Sequence, residues 1–437
     1  METYPQTLLL LYGVPFIFHI EILFKTKRDR DNMENLFENL VSEGKIFANR
    51  EVLRSTYIPE KLPHRKKQIK GLANTLSPAL KGETPSNILI YGKTGTGKTA
   101  TVKYVSKELE EMGEKRGSKC TLLYINSEVF DTQYRVFAYL ARVFNKEVPM
   151  IGWPTDMVYS EFKTGIDTED RCVIVILDEV DKLASKGDGA LYNLSRINSE
   201  LNRAKVSMIG ISNDLTFTEM LDQRIQSSLG EEEIIFPPYD ADQLQDILSE
   251  RAEMAFKKSV IDSAVIPLCA AFAAQEHGDA RRALDLLRVS GEIAEHTKSD
   301  MVTEEHVRLA SEKIEANRVV EVVKTLPLQS KIVLNSVLLL HRERNKRRFS
   351  SGEVYNMYRR LCSHLSMEAL TQRRVTDLVS ELDILGLINA VIISRGRYGR
   401  TKEISLSVPA ESVQPVLLED YKLKAISNIR LKAQVTL

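Results

Sequence analysis

Residues 92–99, Gly92-Lys93-Thr94-Gly95-Thr96-Gly97-Lys98-Thr99, combine three glycines, a terminal lysine and a hydroxyl at the spacing G-x-x-x-x-G-K-T. Glycines at these positions let the backbone curl so that several N–H groups converge on one anion, and the positive end of a following helix adds to the attraction. Lys98 is placed to reach the β- and γ-phosphates, and the Thr99 hydroxyl to ligate Mg²⁺. The chemistry is therefore the gripping of a nucleoside triphosphate, with ATP/ADP and Mg²⁺ as the expected cofactors. The loop needs a strand before it and a helix after it. Ile88–Tyr91 is a short apolar run, and Val102, Val105 and Leu109 recur at helical spacing behind it.

A second pair of residues supplies what such a loop lacks. Asp178-Glu179 follows the β-branched run Val173–Leu177, which reads as a fully buried parallel strand. Ligands of α/β sheets gather at the C-terminal ends of such strands. Asp178 is placed to hold Mg²⁺, mostly through water, and Glu179 to orient the attacking water. A third apolar run, VSMIGIS, ends at Asn213, whose amide can position the same water. Together with CTLLYINS (120–127) and EEIIFPPY (232–239), these make five candidate strands with helical segments between them, a five-stranded parallel α/β sheet. Two arginines complete the set. Arg224 stands shortly before the last strand, a candidate finger for a neighbouring subunit's nucleotide. Arg281 opens a later helix, where it would draw a helical subdomain onto the γ-phosphate.

The order and wording of these stretches resemble the AAA+ replication initiators of the archaeal Orc1/Cdc6 type. The resemblance runs from Asn49 to about Pro409 and rests on NREVLRSTYIPEKLPHR, YGKTGTGKTATV, VPMIGWPTDMVY, ILDEVDKL, ISNDL, SSLGEEEIIFPPY and GDARRALDLLR. It implies a Walker A loop at 92–99, Walker B at Asp178-Glu179, sensor 1 at Asn213, an arginine finger at Arg224 and sensor 2 at Arg281. It also implies nucleotide contacts for Tyr239 and Arg251, and an adenine-bordering role for 57–65. Between Phe130 and about Phe162 the family carries a helical insertion that touches DNA. Here that segment reads equally well as a packed helix and connector.

The composition fits an ordinary globular protein, with 43% hydrophobic and 27% charged residues, and Lys+Arg balances Asp+Glu at 60 each. The balance is uneven along the chain. From residue 325 onward there are 18 Lys/Arg against 10 Asp/Glu, so a basic C-terminal part sits on an acidic body and points to a polyanionic partner. LQSKIVLNSVLLLHRERN, FSSGEVYNMYRRLCSHL with Ser350-x-x-Glu353 as a capping box, and MEALTQRRVTDLVSELDILGLI read as three helices. Leu370, Val375, Leu378, Val379 and Leu382 form the inner face of the third. The flanking NAVIIS and TKEISLSV alternate as a hairpin around RGRYGR. Three helices and a two-stranded wing make a winged-helix domain. Arg373 and Arg374, at the start of the third helix, are candidate base or phosphate contacts, and Arg395, Arg397 and Arg400 at the wing are candidate phosphate or minor-groove contacts.

Length predicts several domains. We expect an extension at 1–32, the nucleotide-binding base at 33–239, an all-α lid at 240–324, the winged helix at 325–412 and a tail at 413–437. Residues 7–24 are apolar, but Pro15, His19 and Glu21 interrupt them, which suits neither a secretory signal nor a membrane span. Cys120, Cys172, Cys269 and Cys362 show no metal-ligand spacing and read as reduced core residues of an intracellular protein; with the resemblance above, the expected location is cytoplasmic and nucleoid-associated. The expected function is an ATP-switched, slowly hydrolysing initiator that binds double-stranded origin DNA, with a replicative helicase and a second initiator subunit as further partners by resemblance and no membrane partner. A branch-migration type motor and a transcriptional regulator with a nucleotide-held module remain as alternatives.

Overall fold

The strand pattern anticipated from the five apolar runs organises the N-terminal half of the computed structural model, which describes residues 44–149, 151–343, 347–394 and 400–425. β1 (Ile88–Tyr91), β2 (Cys120–Asn126), β3 (Cys172–Asp178), β4 (Lys205–Ser212) and β5 (Glu232–Ile235) pair in the order β2-β3-β4-β1-β5, all parallel. Every residue of β3 is buried, which explains its unbroken apolar run. Side chains alternate across the sheet, so β3 feeds two cores. Val173, Val175 and Leu177 join one with α3 (Gln133–Val143), α4 (Thr155–Ile166), α5 (Val180–Ser185), α6 (Gly189–Arg196) and α7 (Gln223–Leu229). Ile174 and Ile176 join the other with α1 (Lys66–Leu76) and α2 (Lys98–Arg116), through Leu72, Leu76, Val102, Val105 and Leu109.

The register brings the strand ends level. Tyr91 lies beside Ser212, and Asp178 beside Asn126 and Ile211. The phosphate loop after β1, the acidic pair after β3 and Asn213 after β4 therefore emerge side by side. The insertion segment resolves into α3 and α4, whose inner faces bury Val136, Phe137, Leu140, Val158 and Phe162, while Ile151 in the intervening loop is 83% exposed.

The lid is built from α8 (Ala241–Ala255), α9 (Val265–Gln275), α10 (Ala280–His296) and the start of α11 (Glu304–Thr325). Its core also takes Ile46, Val52 and Leu53, from a segment expected with the base. The N–H groups of Ala48 and Asn49 both donate to the Ala255 carbonyl, and the Phe47 ring packs, tilted, with its centre 4.8 Å from that of Phe256. A Cβ at position 291 would overlap the Phe47 ring, so glycine there admits this segment against α10.

α11 is shared. Val307 belongs to the lid core, and Val323 to the core of the C-terminal domain. That domain comprises α12 (Leu328–Glu343), β6 (Phe349–Ser350), α13 (Ser351–His364), α14 (Gln372–Ile384), β7 (Ile388–Ser394) and β8 (Arg400–Leu406), the strands ordered β6-β8-β7 and antiparallel. Ser350 and Glu353 form the anticipated capping box. Two differences have physical causes. α14 begins at Gln372 rather than near Met367, because the Thr371 hydroxyl caps it by accepting from the Arg374 N–H, leaving Leu370 ahead of the helix. The core also continues past residue 412. α15 (Ala410–Glu419) and α16 (Tyr421–Ala425) bury Val413, Val416, Leu417 and Leu423 in it, because the apolar face of α15 covers α11 and α12 and α16 packs beside α15.

Residues 1–32 and the wing-tip arginines Arg395 and Arg397 lie outside the described residues, as does the side chain of Arg400. Among the described residues the four cysteines are free, and no helix is long and apolar enough to cross a membrane. Cys120 and Cys172, far apart in sequence, are register partners on β2 and β3.

Candidate nucleotide site and nucleic-acid face

The loop between β1 and α2 is shaped by Gly95 and Gly97, with φ of 74° and 87°, a left-handed conformation that side chains resist. Gly95 also meets the lid. Its carbonyl accepts the Ala280 N–H at 3.2 Å, and a Cβ there would overlap the Asp279 carboxylate. Asp279 caps α10 by accepting from the N–H groups of Arg281 and Arg282. The cap that starts the lid helix thus rests directly on the phosphate loop.

Around this contact lies a cavity of ≈ 380 Å³. Gly95, Gly97, Lys98, Thr99, Asp178, Glu179, Asn213, Tyr239, Arg251 and Arg281 all line it, so residues spread over some 190 positions of sequence share one wall-to-wall site. Lys98 Nζ donates to the Gly92 and Lys93 carbonyls at 2.7 and 2.9 Å and to Asn213 Oδ1 at 2.7 Å. Burial lowers its pKa to about 8, with Asp178 opposing the shift and Arg281 adding to it. Thr94 and Thr96 contribute to the loop rather than to the cavity wall. Thr96 Oγ1 donates to the Lys93 carbonyl at 2.8 Å.

Asp178 is held from three sides. Thr99 Oγ1 and Tyr124 OH donate to its Oδ2 at 2.8 and 2.6 Å, and the Glu179 N–H donates to Oδ1 at 3.0 Å. A hydroxyl beside a carboxylate is a hard-oxygen donor set that suits Mg²⁺ sharing its shell with phosphate oxygens and water. Among the described residues no group of three or more His, Cys, Asp or Glu gathers that could hold a metal without such help. Glu179 has φ 56° and ψ 44°, strained for a non-glycine residue. Its carboxyl pKa is raised, first by burial and then by Glu128, Asp178 and Asp181.

On the far side Arg251, 7% exposed, stacks 4.6 Å over the Tyr57 ring and donates to the Val52 carbonyl at 3.2 Å. It secures the 52–57 segment along the cavity edge, where Tyr57, Ile58 and Pro59 form an apolar wall. Arg224 is different. Its side chain is 73% exposed, pairs with Asp222 at 3.2 Å and does not line the cavity of its own chain. Sequence reasoning missed Tyr124, Asp279 and Arg65. Tyr124 sits in the quoted strand CTLLYINS, one pleat from the acidic pair, and that position was the available signal.

Arg373 and Arg374 are exposed in the first turn of α14. Arg374 reaches Asp377 and Glu381 only at 3.9 Å each, so its charge is loosely held.

Residues 321–416 match the CDC6 C-terminal winged helix domain, residues 245–312 the Cdc6 AAA+ ATPase-type lid domain, and residues 61–147 an AAA ATPase domain. The chain is 63% identical to ORC1-type DNA replication protein 1 of Methanosarcina acetivorans, over 91% of this chain and 97% of the relative. It is 56% identical to the ORC1-type DNA replication protein of Pyrococcus furiosus, over 92% and 97%. The solved structure of the Aeropyrum pernix ORC1 protein in complex with DNA superposes with a TM-score of 0.77 at 46% identity, covering 88% of this chain and 100% of that one. With sheet, lid, winged helix and sequence in agreement, the chain belongs to the archaeal ORC1/Cdc6-type family of AAA+ DNA replication initiators.

Proposed function

We propose that this protein is an ATP-switched initiator that grips double-stranded origin DNA and helps load a replicative helicase. The observation that carries the switch is the seating of the lid cap on the phosphate loop, Asp279 and Ala280 against Gly95, combined with one continuous helix, Glu304–Thr325, leading from the lid into the winged helix. A nucleotide that changes the fit of Arg281 to the base thereby also moves the DNA-reading domain. The Aeropyrum pernix relative, solved in complex with DNA, supports DNA as a partner.

The residues divide the work as follows. Lys98 leaves the loop carbonyls and Asn213 for the phosphates, and the loop N–H groups cradle them. Thr99 and Asp178 would hold Mg²⁺, which supplies charge neutralisation at the β- and γ-phosphates. Glu179 orients and deprotonates the attacking water, Asn213 fixes its direction, and Arg281 clamps the γ-phosphate from the lid. Tyr239 and Arg251 hold the nucleotide from the hinge and the first lid helix. Arg224, exposed and outside its own cavity, suits contact with a nucleotide bound by a second initiator subunit on DNA. In the winged helix, Arg373 and Arg374 meet the major groove, and Arg395, Arg397 and Arg400 meet the backbone or minor groove.

Genome-wide mapping of bound DNA, paired with ATP turnover, tests this function. Binding at replication origins with slow, weakly DNA-stimulated hydrolysis is expected. Binding confined to promoters, or sustained DNA-stimulated turnover by a ring, would defeat it. Glu179→Gln should lower turnover by at least about a hundredfold while ATP-dependent DNA binding persists. Unchanged turnover would remove Glu179 from the mechanism.

A further inference from the structure

Arg65 is the largest of the fully buried side chains, 2% exposed, and it stands behind the phosphate loop rather than in the cavity. Its Nε donates to the Thr96 carbonyl at 2.9 Å, its Nη2 to the Pro237 carbonyl at 2.8 Å and its Nη1 to the His64 carbonyl at 3.3 Å. The guanidinium lies 3.7 Å from the centre of the Tyr239 ring and 5.6 Å from that of Phe236. Among the described residues its charge is met by carbonyl oxygens and aromatic faces, not by a carboxylate. A buried cation without a counter-ion is costly and shifts its own pKa, and burial does lower that of Arg65. Such a charge invites the question of which anion it serves.

The bonded atoms answer it. The Thr96 carbonyl and the Gly97 N–H are the two ends of one peptide unit. A cation donating to the oxygen draws electron density along that unit and makes the N–H a stronger donor. Gly97 lines the cavity and opens α2, where the phosphates are expected. The same guanidinium reaches Pro237, in the connection between β5 and the lid, and holds the Tyr239 ring whose hydroxyl stands against Gly97. A planar fork with several donors can bridge the two carbonyls and stack at once, which an ammonium cannot.

We propose that Arg65 is a positioning residue that polarises the phosphate loop from behind and locks it to the base–lid hinge, so that its buried charge is spent on phosphate affinity. This rests on the nucleotide-site reading above. The distinguishing property is phosphate dependence, since a purely structural role would affect the whole nucleotide pocket.

The test measures the affinities of wild type, R65M and R65K for ADP and for adenosine, without magnesium, by displacement of a fluorescent ADP analogue or by calorimetry. R65M, which keeps the stem but not the charge, should lose about tenfold or more in ADP affinity and distinctly less in adenosine affinity, the smaller loss reflecting the Tyr239 ring that also rests on the guanidinium. R65K, with one nitrogen for two carbonyls, should lose a smaller factor, about threefold to tenfold, and it carries the test if R65M fails to fold. Equal losses for ADP and adenosine, or no loss for ADP in a folded variant, would overturn the proposal. Failure of wild type to bind ADP would instead overturn the nucleotide-site reading on which it stands.

Discussion

Lys98 illustrates how one side chain can be read from its environment. In the cavity it is enclosed by two carbonyls and an amide oxygen, and its pKa falls to about 8, well below the ordinary lysine value of about 10.4. Bound phosphates favour the protonated form, so the complex has the higher pKa and binding takes up a proton wherever free Lys98 is neutral. ADP affinity should therefore be flat below pH 8 and fall above it, by up to about tenfold per pH unit. Calorimetry in buffers of different ionisation enthalpy would show the proton uptake directly. A profile flat to pH 10 would contradict the assigned environment. Glu179 behaves in the opposite sense. Burial and three neighbouring carboxylates raise its pKa, so the acid limb of hydrolysis should lie above the usual carboxylate range of about 4.3.

In the proposed switch, two elements would carry the coupling between nucleotide and DNA. The first is the contact of the α10 cap with the phosphate loop. Gly95→Ala places a methyl group where the Asp279 carboxylate lies, in a backbone conformation that costs a side chain about 1–2 kcal/mol. It should push the lid off the loop and weaken ADP binding at least about tenfold, which a fluorescent-nucleotide titration would register. The second is α11, whose ends lie in different cores. Asn317 is exposed between them. Asn317→Pro removes a helix hydrogen bond and costs about 3 kcal/mol locally. It should leave ADP binding and basal DNA binding within about twofold of wild type, while abolishing the effect of ATP on DNA affinity in anisotropy titrations. Retention of that effect would mean that coupling bypasses the helix.

For the whole molecule the separation of charge matters most. The chain is formally neutral, yet its basic surplus lies from residue 325 onward, in the winged-helix domain proposed to grip DNA. Neutralisation of phosphates releases counterions, so binding should weaken steeply with salt. Replacing Arg373 and Arg374 together by alanine should lower the slope of log affinity against log salt by about 2 if both meet phosphates, and should cost about 1–3 kcal/mol of base discrimination for each that meets a base edge. ADP binding should not change, because these residues lie in a domain that contributes nothing to the nucleotide cavity. An unchanged salt slope with unchanged site preference would remove the α14 arginines from the interface.

The sequence by itself determined the parts whose chemistry is local. Gly92–Thr99 needs only its own spacing between a strand and a helix, β3 announces itself by the unbroken apolar run Val173–Leu177, and Ser350 with Glu353 closes a cap within four positions. Asp178, Asn213 and Arg281 were legible for the same reason, each at the end of an element whose pattern is plain. Only tertiary structure decided what depends on distant chain meeting chain. Arg65 finds its partner carbonyl in Pro237, 172 positions away, and nothing near residue 65 reveals that its charge is buried. Residues 46–53 pass to the lid because Gly291 leaves room for Phe47, and α15 joins the winged-helix core because α11 and α12 present it an apolar surface. Short-range order follows from backbone sterics and side-chain periodicity, which act within a few residues. Burial and hydrogen-bond partners depend on which surfaces the folded chain brings together.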